Sequence, residues 1–108
     1  MKHICCFLFF FMLSAATGQA QETGGHEKGF ELANNVCSEC HATRQGQPRS
    51  PNSRAPTFVE LANTPGMTVA ALTVALTTPH AGMPMFMLSQ EQRQDVIAYV
   101  LSLKVANR

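Results

Sequence analysis

The sequence predicts an all-α fold of about four short helices, and three observations support this prediction. Apolar residues recur at i, i+3, i+4 and i+7 spacing in several segments, which is the period of a helix with one buried face. Serine or threonine stands immediately before three of these segments, where its hydroxyl can cap the start of a helix. Strand-like alternation of useful length and internal repeats are both missing from the sequence.

Capping signals locate the helix starts. Thr57 with Glu60, and Ser89 with Gln92, have the three-residue spacing of a capping box, and Thr68 can cap a further helix. Pro, Gly and polar clusters separate the predicted helices. The helices are expected over 26–36, 58–63, 69–77 and about 90–104.

Each longer helix has an apolar face that should be buried. The last helix has the widest apolar face, because Ile97 and Leu101 extend its apolar stripe on one side. We therefore expect this helix to be well buried. The stripes are Phe30, Ala33, Val36 and the following Cys37 for the first helix, Val69, Leu72 and Leu76 in the third, and Val96, Tyr99, Val100 and Leu103 in the last.

The first twenty residues have the pattern of a secretory signal peptide. A positive start at Lys2 precedes an apolar run over 4–13, which is too short to span a bilayer comfortably. Gly18 and Ala20 match the small-x-small pattern before a cut after Ala20, and a cut after Ala16 is the alternative. An uncleaved membrane anchor is the competing interpretation of this segment.

Cleavage would leave one domain over 21–108, about 88 residues. Such a short chain buries little apolar surface and often needs a covalent staple or a cofactor. Without Lys2 it has seven Lys and Arg against seven Asp and Glu. This balance gives no indication of a nucleic-acid partner or of binding to an anionic membrane surface.

Cys37-Ser38-Glu39-Cys40-His41 is a C-x-x-C-H run, the attachment signature of a c-type haem. Two residues between the cysteines place both sulfurs at one edge of the macrocycle, where they can add to its two vinyl groups. The adjacent His41 can then reach the iron as the proximal ligand. Cys5 and Cys6 lie in the apolar run and would leave with the signal peptide. We therefore expect one covalent haem c, attached in the periplasm.

Other interpretations of this run have less support. A zinc site needs further ligands, and the chain has no second cysteine pair of this kind after cleavage. A dithiol oxidoreductase would require a βαβ pattern, which the sequence lacks. A disulfide between Cys37 and Cys40 would close a very small loop and constrain the unfolded chain little.

Residues later in the chain should supply an acceptor for the His41 ring and the sixth ligand of the iron. The second ring nitrogen of His41 requires an acceptor, and a carbonyl of the Ala55-Pro56 turn is our candidate. The irregular stretch over 79–88 offers a thioether as the sixth ligand, a soft donor that raises the reduction potential. We predict Met83, which the following proline stiffens, with Met85 as second choice.

The remaining methionine and histidines are expected to have lesser roles. Met87, like Met85 if it is not the ligand, is expected to pack near the cofactor. His80 is expected to be a hydrogen-bond donor in the loop, and His26 to lie in solvent before the first helix.

These residues together resemble the small class I cytochromes c of bacterial periplasms, over about residues 26–104. Gly29 and Ala33 are similar to the first-helix positions that touch the last helix in that family, and Asp95-Val96-Ile97-Ala98-Tyr99 is similar to the matching run. The resemblance implies four or so helices wrapped round one haem, with the first and last helices crossing. It also implies that the Pro56 carbonyl holds His41 and that Met83 is the distal ligand.

The predicted function is one-electron transfer between periplasmic redox proteins, from a donor dehydrogenase to an acceptor oxidase or reductase. A permanent haem subunit of a periplasmic dehydrogenase is the alternative, and a ligand-binding or sensing haem protein is a third possibility. We expect an electron carrier and not an enzyme, because no distal acid–base pair for peroxidase chemistry is evident. Arg54 is expected to pair with a haem propionate, with Arg44 and Arg49 as weaker candidates.

Overall fold

The computed structural model describes residues 20–105, with side chains from residue 25 onward. The predicted signal peptide over 1–20 thus lies outside the described residues except for its last one, and it stays a prediction. The described part has four helices: α1 (Ala20–Val36), α2 (Phe58–Asn63), α3 (Val69–Thr77) and α4 (Gln90–Ser102). Its only extended pairing is an isolated bridge between His80 and Met83, so the all-α prediction is confirmed.

The predicted caps are present, and they fix where α2, α3 and α4 begin. Thr57 Oγ1 accepts a hydrogen bond from the Glu60 amide at 3.1 Å, and the Glu60 carboxylate accepts one from the Thr57 amide at 2.7 Å. The Ser89–Gln92 pair forms the same reciprocal box before α4, and Thr68 caps α3. Each cap contributes about 1 kcal/mol to helix stability.

α1 and α4 pack against each other more extensively than any other helix pair, and Gly29 allows their close approach. A Cβ atom at Gly29 would overlap the Asp95 carbonyl and come within 2.9 Å of the Tyr99 Cβ. This explains a glycine inside a helix, where it costs about 1 kcal/mol relative to alanine. The predicted crossing of the first and last helices is therefore confirmed.

The core lies between α4 and the helices that cover it. Tyr99 is only 4% exposed, and its hydroxyl donates a 2.5 Å hydrogen bond to the Thr43 carbonyl in the loop after α1. This bond fastens the start of the long loop to the last helix. The buried apolar residues are Ala33, Ala42, Phe58, Ala62, Leu72, Val96, Ile97, Tyr99, Val100 and Leu103.

Four local predictions were wrong. The first helix begins at Ala20, not at residue 26, and α4 ends at Ser102, two residues before the predicted end. His26 therefore lies inside α1, where its ring meets the edge of Tyr99 at 5.4 Å between centroids. Val69 was predicted to lie on the buried stripe of α3, but its side chain is 58% exposed.

Candidate cofactor site

The two predicted attachment cysteines lie in a single tight turn at the end of α1. A 3-10 turn over Cys37–Glu39 follows the helix directly, and the Cys37 carbonyl accepts from the amides of Cys40 and His41 at 3.2 and 2.9 Å. Both thiols are free and half-buried. The turn therefore presents two sulfurs and one imidazole from five consecutive residues.

Burial changes the chemistry of the first of these thiols. It raises the pKa of Cys37 above the ordinary value for a thiol. The thiolate is the form that binds metals and attacks disulfides. Burial therefore favours the neutral thiol over the thiolate at Cys37.

The His41 ring is oriented by the loop that follows it. His41 Nδ1 lies 2.7 Å from the Pro56 carbonyl oxygen, the acceptor expected from the sequence. A carbonyl can only accept, so Nδ1 carries the proton and Nε2 keeps a free lone pair. Histidines that bind a metal are commonly oriented by such a bond. The neutral ring therefore has its second nitrogen available to an iron atom.

Backbone hydrogen bonds hold this loop against the turn. The Phe58 amide donates to the Ala42 carbonyl at 2.9 Å, and the Asn52 amide donates to the Cys40 carbonyl at 3.1 Å. The Phe58 ring lies 5.4 Å from the His41 ring between centroids. Pro56 is thus placed by its buried neighbours, and the orientation of His41 follows from the packing of α2.

The stretch before α4 presents Met83 beside His80. Gly82 has φ of +80°, a left-handed conformation that glycine adopts without strain, and it allows the chain to turn back between these two residues. Met83 is half-buried, whereas the side chains of Met85 and Met87 are 48% and 94% exposed. Among the three methionines of this stretch, Met83 is therefore the one that the chain itself covers most.

A contact between His80 and Met83 was not foreseen from the sequence. His80 Nε2 lies 3.0 Å from Met83 Sδ, and His80 Nδ1 lies 3.2 Å from the Thr78 carbonyl. The signal that could have indicated it is the His-x-Gly-Met spacing, because a glycine turn can bring residues three apart side by side.

The three candidate arginines are all exposed, and they differ in their contacts. Arg44 donates to the Asn34 side chain at 2.8 and 3.2 Å and lies over the Phe30 ring, so it is engaged with α1. The Arg54 amide donates to the Asn52 side chain at 3.0 Å, which orders the backbone beside Pro56. A role of Arg54 at a propionate stays a prediction.

These residues fit a covalently attached haem. Two free thiols share one turn, and one imidazole has its Nε2 lone pair available. Within 20–105, no three His, Cys, Asp or Glu side chains cluster as ligands for a metal ion. An iron atom bound to His41 would take most of its other ligands from a macrocycle. Val74, Met85 and Phe86 have exposed apolar side chains, which an apolar cover would stabilise.

Comparisons with known proteins agree with this chemistry. The family model described as "Cytochrome C oxidase, cbb3-type, subunit III" matches residues 24–100. Cytochrome c-552 of Bradyrhizobium diazoefficiens is similar to this chain, with 31% identity over 104 residues that cover 96% of the chain and 95% of the relative. No solved structure matches the chain significantly.

Proposed function

The chain belongs to the cytochrome c family as a small monohaem class I member with one covalent haem c, and we propose that it shuttles single electrons between periplasmic redox proteins with His41 and Met83 as axial ligands. Family membership establishes haem-based electron transport. The ligand pair, the direct partners and the export by a signal peptide over 1–20 belong to the proposal.

The hydrogen bond from His41 to Pro56 carries this proposal. It fixes the neutral tautomer with Nε2 free, at 2.7 Å from a carbonyl that the buried start of α2 holds in place. A rigid proximal ligand suits electron transfer, because a ligand that stays in place limits reorganisation when the iron changes its charge. Cys37 and Cys40 would supply the two thioether bonds.

Two properties of Met83 support its assignment as the distal ligand. It is the one half-buried methionine of the stretch over 83–87, and the proline after it restricts its backbone. A thioether favours ferrous iron over ferric iron and so raises the reduction potential. The bound haem supplies the one-electron chemistry, and the protein supplies ligands, burial and a docking surface. We assign Arg54 to a haem propionate on the same proposal.

Visible spectroscopy of the purified holoprotein tests the ligand pair. We expect a reversible reduced-minus-oxidised difference spectrum and, in the ferric form, a methionine-to-iron charge-transfer band. Met83→Ala should abolish this band, whereas Met85→Ala, the matched control two residues away, should retain it. The reverse pattern would assign the ligand to Met85. Rapid binding of carbon monoxide by the wild-type ferrous protein would instead indicate a ligand-binding function.

A permanent haem subunit is the second candidate, and a charge-free segment favours it. Residues 61–90 contain no Asp, Glu, Lys or Arg. The segment exposes several large apolar side chains: Val69, Val74, Met85, Phe86 and Met87. Contiguous exposed apolar surface is typical of protein interfaces. The matched family model is itself described as an oxidase subunit.

Copurification distinguishes the two candidates. A permanent subunit should leave its host in a stable complex with a larger redox protein, and Met87→Glu should weaken that complex. A shuttle should be isolated alone under the same conditions. Mass spectrometry of the isolated chain tests export as well, because cleavage after Ala20 gives a mature protein that starts at Gln21. No helix within 20–105 is long and apolar enough to cross a bilayer.

A further inference from the structure

A second possible iron ligand lies beside Met83. We propose that His80 is a reserve axial ligand, whose Nε2 binds the haem iron when the Met83 thioether is absent or displaced. This inference rests on the proposed ligation by His41 and Met83, and it assigns to His80 a role beyond that function.

The orientation of the His80 ring is the first reason. Its Nδ1 lies 3.2 Å from the Thr78 carbonyl oxygen and donates to it in one of the two neutral tautomers. Nε2 then has a free lone pair. His41 has the same arrangement, with Nδ1 on the Pro56 carbonyl. Both imidazoles are therefore oriented by a backbone carbonyl in the manner of a metal-bound histidine.

The position of Nε2 is the second reason. His80 Nε2 lies 3.0 Å from Met83 Sδ, and in the other neutral tautomer it donates a weak hydrogen bond to the sulfur. The nitrogen and the sulfur therefore lie close enough for a metal ion bound to one of them to be reached by the other. A short movement of the His80 side chain would bring Nε2 to the place of the sulfur.

The backbone holds the two residues together independently of this contact. The Met83 amide donates to the His80 carbonyl at 3.3 Å within the isolated bridge, and Gly82 closes the turn with φ of +80°. His80 is also exposed, so its side chain has room to turn. Of the other two histidines within 25–105, His41 is the proposed proximal ligand, and His26 packs against Tyr99 at the crossing of α1 and α4. His80 is therefore the nitrogen donor placed to replace the thioether.

The exchange is a simple ligand substitution. The bond between iron and sulfur breaks, the bond between iron and the neutral Nε2 forms, and the oxidation state does not change. A nitrogen donor favours ferric iron more than a thioether does. The reduction potential should therefore fall when His80 replaces Met83, and the iron should stay six-coordinate and low-spin.

Ferric electron paramagnetic resonance and visible spectra of holoprotein variants test this role. Met83→Ala should lose the methionine band but remain low-spin, with a potential below that of the wild type and slow binding of carbon monoxide when reduced. Met83→Ala with His80→Ala should become high-spin and bind carbon monoxide rapidly. Met83→Ala with His26→Ala is the matched control, and it should keep the low-spin spectrum of the single variant.

The outcomes separate this inference from the proposed function. A high-spin Met83→Ala protein would confirm the thioether ligand and overturn the role of His80. A low-spin state that survives the loss of both Met83 and His80 would also overturn it, because another donor would then be bound. A methionine band that persists in Met83→Ala would overturn the ligand assignment itself, and the role of His80 with it.

Discussion

The crossing of α1 and α4 and the segment over 61–90 are built in opposite ways. At the crossing, a glycine meets a backbone carbonyl, and Tyr99 is buried with its hydroxyl bonded to Thr43. The charged residues Lys28 and Glu91 form an ion pair at its rim. The segment over 61–90 has no charged side chain, and it leaves Val69, Val74 and Met87 more than half exposed.

From this difference we expect the segment over 61–90, and not the crossing, to depend on the cofactor for its stability. The crossing needs no cofactor for its contacts, because Gly29 packs against α4 and the Tyr99 hydroxyl is bonded to Thr43 within the chain. The segment contributes Leu72 to the core but has apolar surface left over, which a haem or a partner protein must cover. A haem bound against this segment would complete one side of the fold.

The largest expected effect comes from removing the haem. Cys37→Ser with Cys40→Ser should yield no covalent haem. The apolar surface of residues 61–90 then stays exposed, and we expect the free energy of unfolding to fall by roughly 5 kcal/mol or more, which is enough to unfold the protein. Haem staining of a denaturing gel and circular dichroism measure the two losses. Ser38→Ala, between the cysteines, should retain the haem. Native helix content in the double variant would show that the crossing suffices to fold the chain.

A methyl group at the crossing should have the next largest effect. Gly29→Ala places a Cβ against the rigid Asp95 carbonyl, and we expect a loss of about 3 kcal/mol, near the upper end of overpacking costs. Gly25→Ala is the control, because its Cβ would meet the movable Asp95 carboxylate at 3.1 Å. Urea denaturation of both holoproteins measures the difference. Equal stability of the two variants would contradict the close approach at Gly29.

The buried hydroxyl of Tyr99 should contribute less. Tyr99→Phe leaves the Thr43 carbonyl without this donor, and we expect a loss of about 1–2 kcal/mol at neutral pH. Burial raises the pKa of Tyr99, although the nearby Arg44 lowers it. The folded state therefore resists ionisation of this phenol more than the unfolded state does.

The sign of the pH dependence follows from this shift. The stabilisation from neutral Tyr99 is complete below its unfolded pKa of about 10 and is lost as the pH rises through the folded pKa. Denaturation curves at neutral and alkaline pH should converge for wild type and Tyr99→Phe. A difference that grows with pH would be inconsistent with the raised pKa.

The rim of the crossing should matter least. Lys28 Nζ lies 3.2 Å from Glu91 Oε1, and both side chains are largely exposed. Lys28→Gln should cost at most about 0.5 kcal/mol, because water and salt screen such a pair. Thermal denaturation at low and high salt measures it. A loss above that of Tyr99→Phe would mean that charges, and not packing, hold the two helices together.

Local features of the sequence predicted much of the fold. The spacing of Thr57 and Glu60 predicted the start of α2, because a capping box involves only four consecutive residues. The apolar stripe in α4 predicted its buried residues, because residues at i, i+3, i+4 and i+7 share one face of a helix. The exposure of Val69 could not be predicted in this way, since helical periodicity does not show which apolar face has a partner.

The sequence by itself determined the cofactor chemistry, because C-x-x-C-H places two thiols and an imidazole on one turn whatever the rest of the chain does. Only the tertiary structure decided which distant atoms meet. His41 is oriented by a carbonyl fifteen residues away, and Gly29 meets the carbonyl of Asp95 across two helices. The pairing of His80 with Met83 depends equally on how the chain closes a glycine turn. Such contacts require the packed chain, since no spacing along the sequence fixes the direction of a side chain in space.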